Sequence, residues 1–276
     1  MYIFGKLFDF FLCEQNWRML FRRMYRIDRI NYSIFSDIIR THIGCLAFFK
    51  CTSLTQIEIP SSVTTIGQGA FCGCTSLEQI ILPSSVTKIE NSSFCECTSL
   101  TEITHPSSIT IIEHGAFAKC TSLTEIILPS PLTEIEGYTF YKCTSLSKVT
   151  IPSSIATIGP CAFFQCASLT QMIVPSSVTM IGPFAFHGCS SLERVEIPSS
   201  VIALECNAFD GCSQLKEKSI SSQTYELPPF AFFDDFDITQ FFLNAKVQVH
   251  NAVKKNTGEK LSLHTFPAGK ISFCSL

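Results

Sequence analysis

The 276-residue sequence is poor in charge: only 16% of its residues are Asp, Glu, Lys or Arg. It has no apolar run of the ~18–20 residues that span a membrane. It also lacks a G-x-S-x-G elbow, a phosphate-binding loop and an H-E-x-x-H pair, so no common catalytic motif points to an enzyme or to a cofactor. Low charge does not signal disorder here, because 46% of the residues are hydrophobic. The charge that exists is unevenly placed. Residues 1–50 carry eight Lys/Arg against four Asp/Glu, residues 51–212 five against thirteen, and residues 213–276 seven against six. An acidic central stretch is a poor match for nucleic acid. The opening "MYIFGKLFDFFLCEQ" is interrupted by Lys6 and Asp9 and shows no small-residue cleavage site, so no standard secretory leader is expected.

What the sequence has in abundance is a period. Cys51, Cys74, Cys97, Cys120, Cys143, Cys166, Cys189 and Cys212 stand 23 residues apart without insertion or deletion. A leucine follows each by three residues, from Leu54 to Leu215, and a phenylalanine precedes each by three, from Phe48 to Phe209, with Phe232 continuing the column. A fixed step of this size marks a solenoid.

One repeat, "CTSLTQIEIPSSVTTIGQGAFCG" (51–73), shows how a coil is built. Leu54, Ile57 and Ile59 form L-x-x-I-x-I, the strand signature of a leucine-rich repeat. Ile57 and Ile59 alternate with Gln56 and Glu58, so one strand face is buried and the other wet. Pro60 has no N–H for a ladder and ends the strand. Val63 and Ile66 turn inward on a short second strand, and Gly67 permits a turn. Ala70 and Phe71 fill the far side on a single helical turn. One such coil buries too little to fold alone, so stacking must supply the rest.

The strands of type "LTEIILPSSVTKIE" and turns of type "IGQGAFCGC" (66–74) and "IGPFAFHGC" (181–189) closely resemble the BspA-like leucine-rich repeat family. The resemblance covers about 43–235. It implies a right-handed curved solenoid that binds proteins, often in adhesion. The expected fold is therefore an α/β-type, strand-rich repeat solenoid. It has a parallel concave sheet, short second strands and helical turns on the far side. Residues 1–42 are expected to be an N-terminal helical cap or a degenerate first repeat, and 236–276 a tail with a short hairpin.

Two outward columns line the concave strands. Gln79, Glu102, Glu125, Lys148, Gln171 and Arg194 belong to one; Ile81, Thr104, Ile127, Thr150 and Ile173 belong to the other. Isoleucine on every second coil of a wet face reads either as β-propensity or as an apolar stripe for a protein partner. The expected activity is non-enzymatic protein binding by a monomer, as a surface adhesin or as an intracellular scaffold.

The remaining candidates read more simply. The periodic cysteines read as packed small hydrophobes, although Cys72 and Cys95 stack one coil apart at a more exposed position. Neither Cys72-x-Cys74 nor Cys95-x-Cys97 has zinc-ribbon spacing. His105 interrupts an inward column of Ile, Leu and Val and reads as a core histidine or a strand irregularity. Asn31 and Asn91 lie in glycosylation sequons, relevant only to a secreted chain. Residues 17–29, "WRMLFRRMYRIDR", read as an amphipathic helix that caps the first coil or, alternatively, lies on a membrane. "DDFD" (234–237) reads as solvated acids. The tail at 246–266 looks faintly like a strand–turn–strand of a protein kinase small lobe. His264 occupies the place of the phosphate-pairing lysine, however, and no glycine-rich loop precedes it.

Overall fold

The structure is a computed structural model that describes residues 41–215 and 217–220, with side chains described through 215. The expected cap helix at 17–29, Asn31, Phe232 at the end of its column, the acids at 234–237 and the tail all lie outside these residues. Between them run seven complete 23-residue coils: coil 1 (51–73), coil 2 (74–96), coil 3 (97–119), coil 4 (120–142), coil 5 (143–165), coil 6 (166–188) and coil 7 (189–211).

Each coil contributes up to two strands, and all pairings are parallel with a 23-residue offset. The longer strands are β3 (Gln79–Ile81), β5 (Glu102–Thr104), β7 (Glu125–Ile127), β9 (Lys148–Thr150), β11 (Gln171–Ile173), β13 (Arg194–Ile197) and β15 (Glu217–Ile220). The shorter ones are β1 (His42–Ile43), β2 (Thr65–Ile66), β4 (Lys88–Ile89), β6 (Ile111–Ile112), β8 (Glu134–Ile135), β10 (Thr157–Ile158), β12 (Met180–Ile181) and β14 (Ala203–Leu204). In coil 1 the long strand shrinks to single bridging residues, with Glu58 opposite Ile81.

The interior is made of columns. Leu54, Ile59, Val63, Ile66, Phe71 and Cys74 and most of their 23-residue relatives are almost wholly buried, while Cys51, His105, Ile151 and Cys212 are partly so. The phenylalanine rings from Phe48 to Phe209 lie in one continuous stack, with centroids 5.0–5.8 Å apart. Ser93 and Thr139 take alanine positions in this core and remain satisfied. The Ser93 hydroxyl donates to the Glu90 carbonyl at 2.6 Å, and that of Thr139 to Glu136 at 2.7 Å.

The far side departs from the expected helical turn: the described residues contain no helix. Overlapping β-turns take its place. In coil 1, Ala70, Cys72 and Cys74 donate their N–H groups three residues back, to Gly67, Gly69 and Phe71. Gly69, Phe71 and Gly73 donate instead to the next coil, to Asn91, Ser93 and Cys95. Two residues per coil hold positive φ, such as Gly69 (58°) and Gly73 (76°), as type II turns need at their third position. A helix would leave these N–H groups committed within one coil; the turns spend every second one on stacking. Gly67, expected to serve a turn, has a different reason. A Cβ there would come within 2.5 Å of the Ile43 carbonyl oxygen, so the site needs glycine for closeness of backbones.

One joint is weaker than the rest. The long-strand sheet breaks between β5 and β7 and again between β9 and β11; the short-strand sheet breaks between β6 and β8. Both sheets are therefore interrupted together only between coils 3 and 4, where the turn ladder and a Thr121 hydroxyl bond to the Thr98 carbonyl (3.3 Å) continue. His105 sits at this joint as a strand irregularity. β5 ends just before it, and its buried Nδ1 has no partner among the described residues. Pro131 stands where coils 2, 3, 6 and 7 carry a serine whose hydroxyl reaches the preceding coil, as Ser108 reaches the Val86 carbonyl at 2.7 Å. Charge adds to the break. Lys88 pairs with Glu113 at 2.7 Å, one coil on, whereas coil 4 places Glu134 beside Glu136. Burial and the adjacent Glu134 raise the Glu136 carboxyl above its ordinary range.

A candidate protein-binding face

The alternation of L-x-x-I-x-I forces the choice of face. Ile80, Ile126, Met172 and Val195 point into the core, so their neighbours on each strand must point out. Every residue expected on the wet face is exposed: Gln79, Ile81, Glu102, Thr104, Glu125, Ile127, Lys148, Thr150, Gln171, Ile173 and Arg194. Ile81 and Ile173 are each 64% accessible and Ile127 59%, values unusual for isoleucine on a folded surface.

Register organises these side chains. Gln79 lies opposite Glu102 and Ile81 opposite Thr104. Glu125 lies opposite Lys148 and Ile127 opposite Thr150. Gln171 faces Arg194, and Ile173 faces Glu196. Read along the axis, the second column runs Ile, Thr, Ile, Thr, Ile. No two isoleucines are adjacent, but the threonine methyl groups lie between them. At about 4.8 Å per coil the stripe is about 19 Å long. Its polar flank is partly self-paired: Lys148 Nζ lies 2.5 Å from Glu125, and Arg194 2.6 Å from Glu196.

Each isoleucine that leaves water on contact with a partner contributes about 1.5 kcal/mol or more, while the surrounding Gln, Glu and Thr supply a polar rim. Among the described residues no three His, Cys, Asp or Glu side chains converge as metal ligands. No helix among them is long and apolar enough to cross a membrane. Asn91 is exposed, while Ser93, the hydroxyl residue of its sequon, is buried and donates inward.

Two features escape a reading of the sequence. The first concerns the cysteine column. Each thiol donates to the carbonyl of the phenylalanine 26 residues earlier, from Cys74 to Phe48 (3.0 Å) through Cys212 to Phe186 (3.2 Å). Burial pushes the Cys143 thiol up to about 12 and raises Cys120, Cys166 and Cys189 as well. These thiols are small core groups with one weak donor, which explains why the column is cysteine throughout. The second is a tract of rings along the turn side. His114 meets Tyr138 at 4.9 Å, Tyr141 meets Phe164 at 5.0 Å, and Phe164 meets His187 at 4.7 Å. Tyr141, Phe164 and His187 repeat at the 23-residue step, so the period itself could have shown that part of the tract; His114 and Tyr138 lie in adjacent columns and meet only in the fold.

Comparison with known proteins agrees with this architecture. A family model described as a BspA type leucine rich repeat region matches residues 41–169 and 133–257, with six copies. No curated protein matches the chain. Similar solved structures include a leucine-rich repeat protein from Bacteroides ovatus, at 28% identity over 64% of this chain and 58% of that one, with a TM-score of 0.43. A T. pallidum leucine rich repeat protein is 32% identical over 63% of this chain and 71% of its own, with a TM-score of 0.47. A leucine rich cell surface protein from Faecalibacterium prausnitzii is 26% identical over 80% and 64%, with a TM-score of 0.49. The chain thus spans less than two thirds of the Bacteroides and Faecalibacterium proteins. The matched residues make up well over half of the sequence, and the chain belongs to the BspA-type leucine-rich repeat family.

Proposed function

We propose that the chain is a non-enzymatic recognition module that binds a protein partner on its long-strand face, the face expected to be concave. The observation that carries this reading is the stripe Ile81–Thr104–Ile127–Thr150–Ile173, whose isoleucines remain around 60% exposed. Repeat families present such faces because a stack of coils gives an extended surface of fixed spacing. The role that fits the family resemblance best is that of a surface adhesin.

A photo-crosslinker placed at Ile127 tests the face directly. The expected result is one specific adduct, competed by excess wild-type protein but not by the Ile81→Lys/Ile127→Lys/Ile173→Lys variant. Equal competition by that variant overturns the reading. A crosslinker at Ile202, exposed but beside the short strands, is the control.

A second use, as an intracellular scaffold, is favoured by the buried thiol column, since reducing compartments keep thiols intact. Labelling of intact and permeabilised cells with a membrane-impermeant amine reagent separates the two. Modification of intact cells supports the adhesin; modification only after permeabilisation supports the scaffold.

A further inference from the structure

We propose that Cys72 and Cys95 form an exchangeable dithiol, a modification site at which a small-molecule disulfide closes a reversible bridge between coils 1 and 2.

Three observations carry this. The first is register: Cys72 and Cys95 are 23 residues apart and occupy equivalent places in adjacent coils. The Gly73 N–H donates to the Cys95 carbonyl at 2.7 Å, which fixes the two backbones side by side. Neighbouring parallel strands lie about 4.8 Å apart, inside the Cα separation a disulfide accepts. The second is access. Cys74 and Cys97, two residues on, are fully buried and donate to phenylalanine carbonyls. Cys72 and Cys95 are half-buried and lie on the turn side, where reagents reach them. The third is reactivity. The Cys95 thiol supports the Cys72 thiolate by hydrogen bonding, with help from Lys50 and Lys119, and so outweighs burial and the nearby Glu96. The same contact raises Cys95. The pair therefore has an attacking member and a resolving member. The column holds no third thiol beside them, because Phe49 precedes and Ala118 follows.

The chemistry balances. The Cys72 thiolate attacks a small disulfide, forms a mixed disulfide and expels one small thiolate. Cys95 gives up its proton and displaces the second small thiolate from the Cys72 sulfur. Two protein S–H bonds become one S–S bond, and the small disulfide is reduced to two thiols that take up both protons.

The test exposes the full chain to oxidised glutathione at about pH 8, followed by alkylation and peptide mapping by mass spectrometry. The expected product is a single cross-linked species joining Cys72 to Cys95, two hydrogens lighter and reversed by dithiothreitol. In Cys95→Ser, Cys72 is expected to retain glutathione, because nothing resolves the adduct. The proposal is overturned if the wild-type chain carries separate adducts on Cys72 and Cys95. It is also overturned if both stay unmodified while the exposed Cys45 and Cys206 react. Reading the wild-type product first keeps the result independent of how the Cys95→Ser variant folds.

Discussion

The cysteine column shows what a single residue contributes. Serine would supply a stronger donor and alanine a cleaner apolar surface, but cysteine combines a small apolar body with a weak S–H donor. Its cost lies in pH. The unfolded chain ionises its thiols near 8.5, whereas Cys143 in the fold resists ionisation up to about 12. Above the unfolded value the unfolded state binds fewer protons, so stability falls as pH rises toward the folded value. The loss for such a thiol approaches about 1.4 kcal/mol per pH unit. Cys143→Ala is therefore expected to flatten the alkaline decline, seen as a smaller shift of the urea midpoint between about pH 9 and pH 11. An unchanged slope would separate the column from alkaline stability. The turns carry another residue-scale prediction. Gln165 is exposed and holds φ at 54°, at a position where coils 1, 6 and 7 have Gly73, Gly188 and Gly211. Gln165→Gly removes left-handed strain and is expected to stabilise the protein by about 0.5–1 kcal/mol, net of glycine's entropy.

Elements differ in how well they stack. Thr87, Thr110, Ala156 and Thr179 each donate an N–H to the preceding coil, but Thr133 and Glu136 of coil 4 make no such bond. Hydrogen exchange at these two amides is expected to be at least about tenfold faster than at Thr87 and Ala156. Equal protection would mean that the joint closes in solution. The long strands and their inward and outward faces were legible in the sequence, because a period of two within a period of 23 leaves no second register. The turns were not. Their left-handed positions are filled by Leu46, Ser92, Tyr138, Cys161 and Phe184 as well as by glycine, which blurs the usual glycine signal. The expected helical turn followed from Ala70 and Phe71, which mark burial and say nothing about φ. The thiol-to-carbonyl bonds span 26 residues and exist only once coils stack. His105 stood out as an exception to its column, but Pro131 shows its meaning only beside the serine bonds it interrupts.

For the whole molecule, recognition is separable from stability. The exposed isoleucines touch little of the core, so the triple lysine variant is expected to melt within a few degrees of wild type. It is also expected to lose at least about tenfold in affinity, since about 1.4 kcal/mol suffices for that factor and each lost isoleucine contact is worth about as much. A large drop in melting temperature would show instead that the stripe supports the fold.

The joint between coils 3 and 4 has a mechanical consequence. Bonds between coils run along the axis, so an axial pull loads every joint with the same tension, and the coil parts at its weakest one. There the turn ladder, the Thr121–Thr98 bond and the packed core bear the load without either sheet. The cut passes between Thr104 and Ile127, through the middle of the exposed stripe. A ligand gripping both Ile81 and Ile173 would splint that joint, and under shear its own grip would decide when the coil opens.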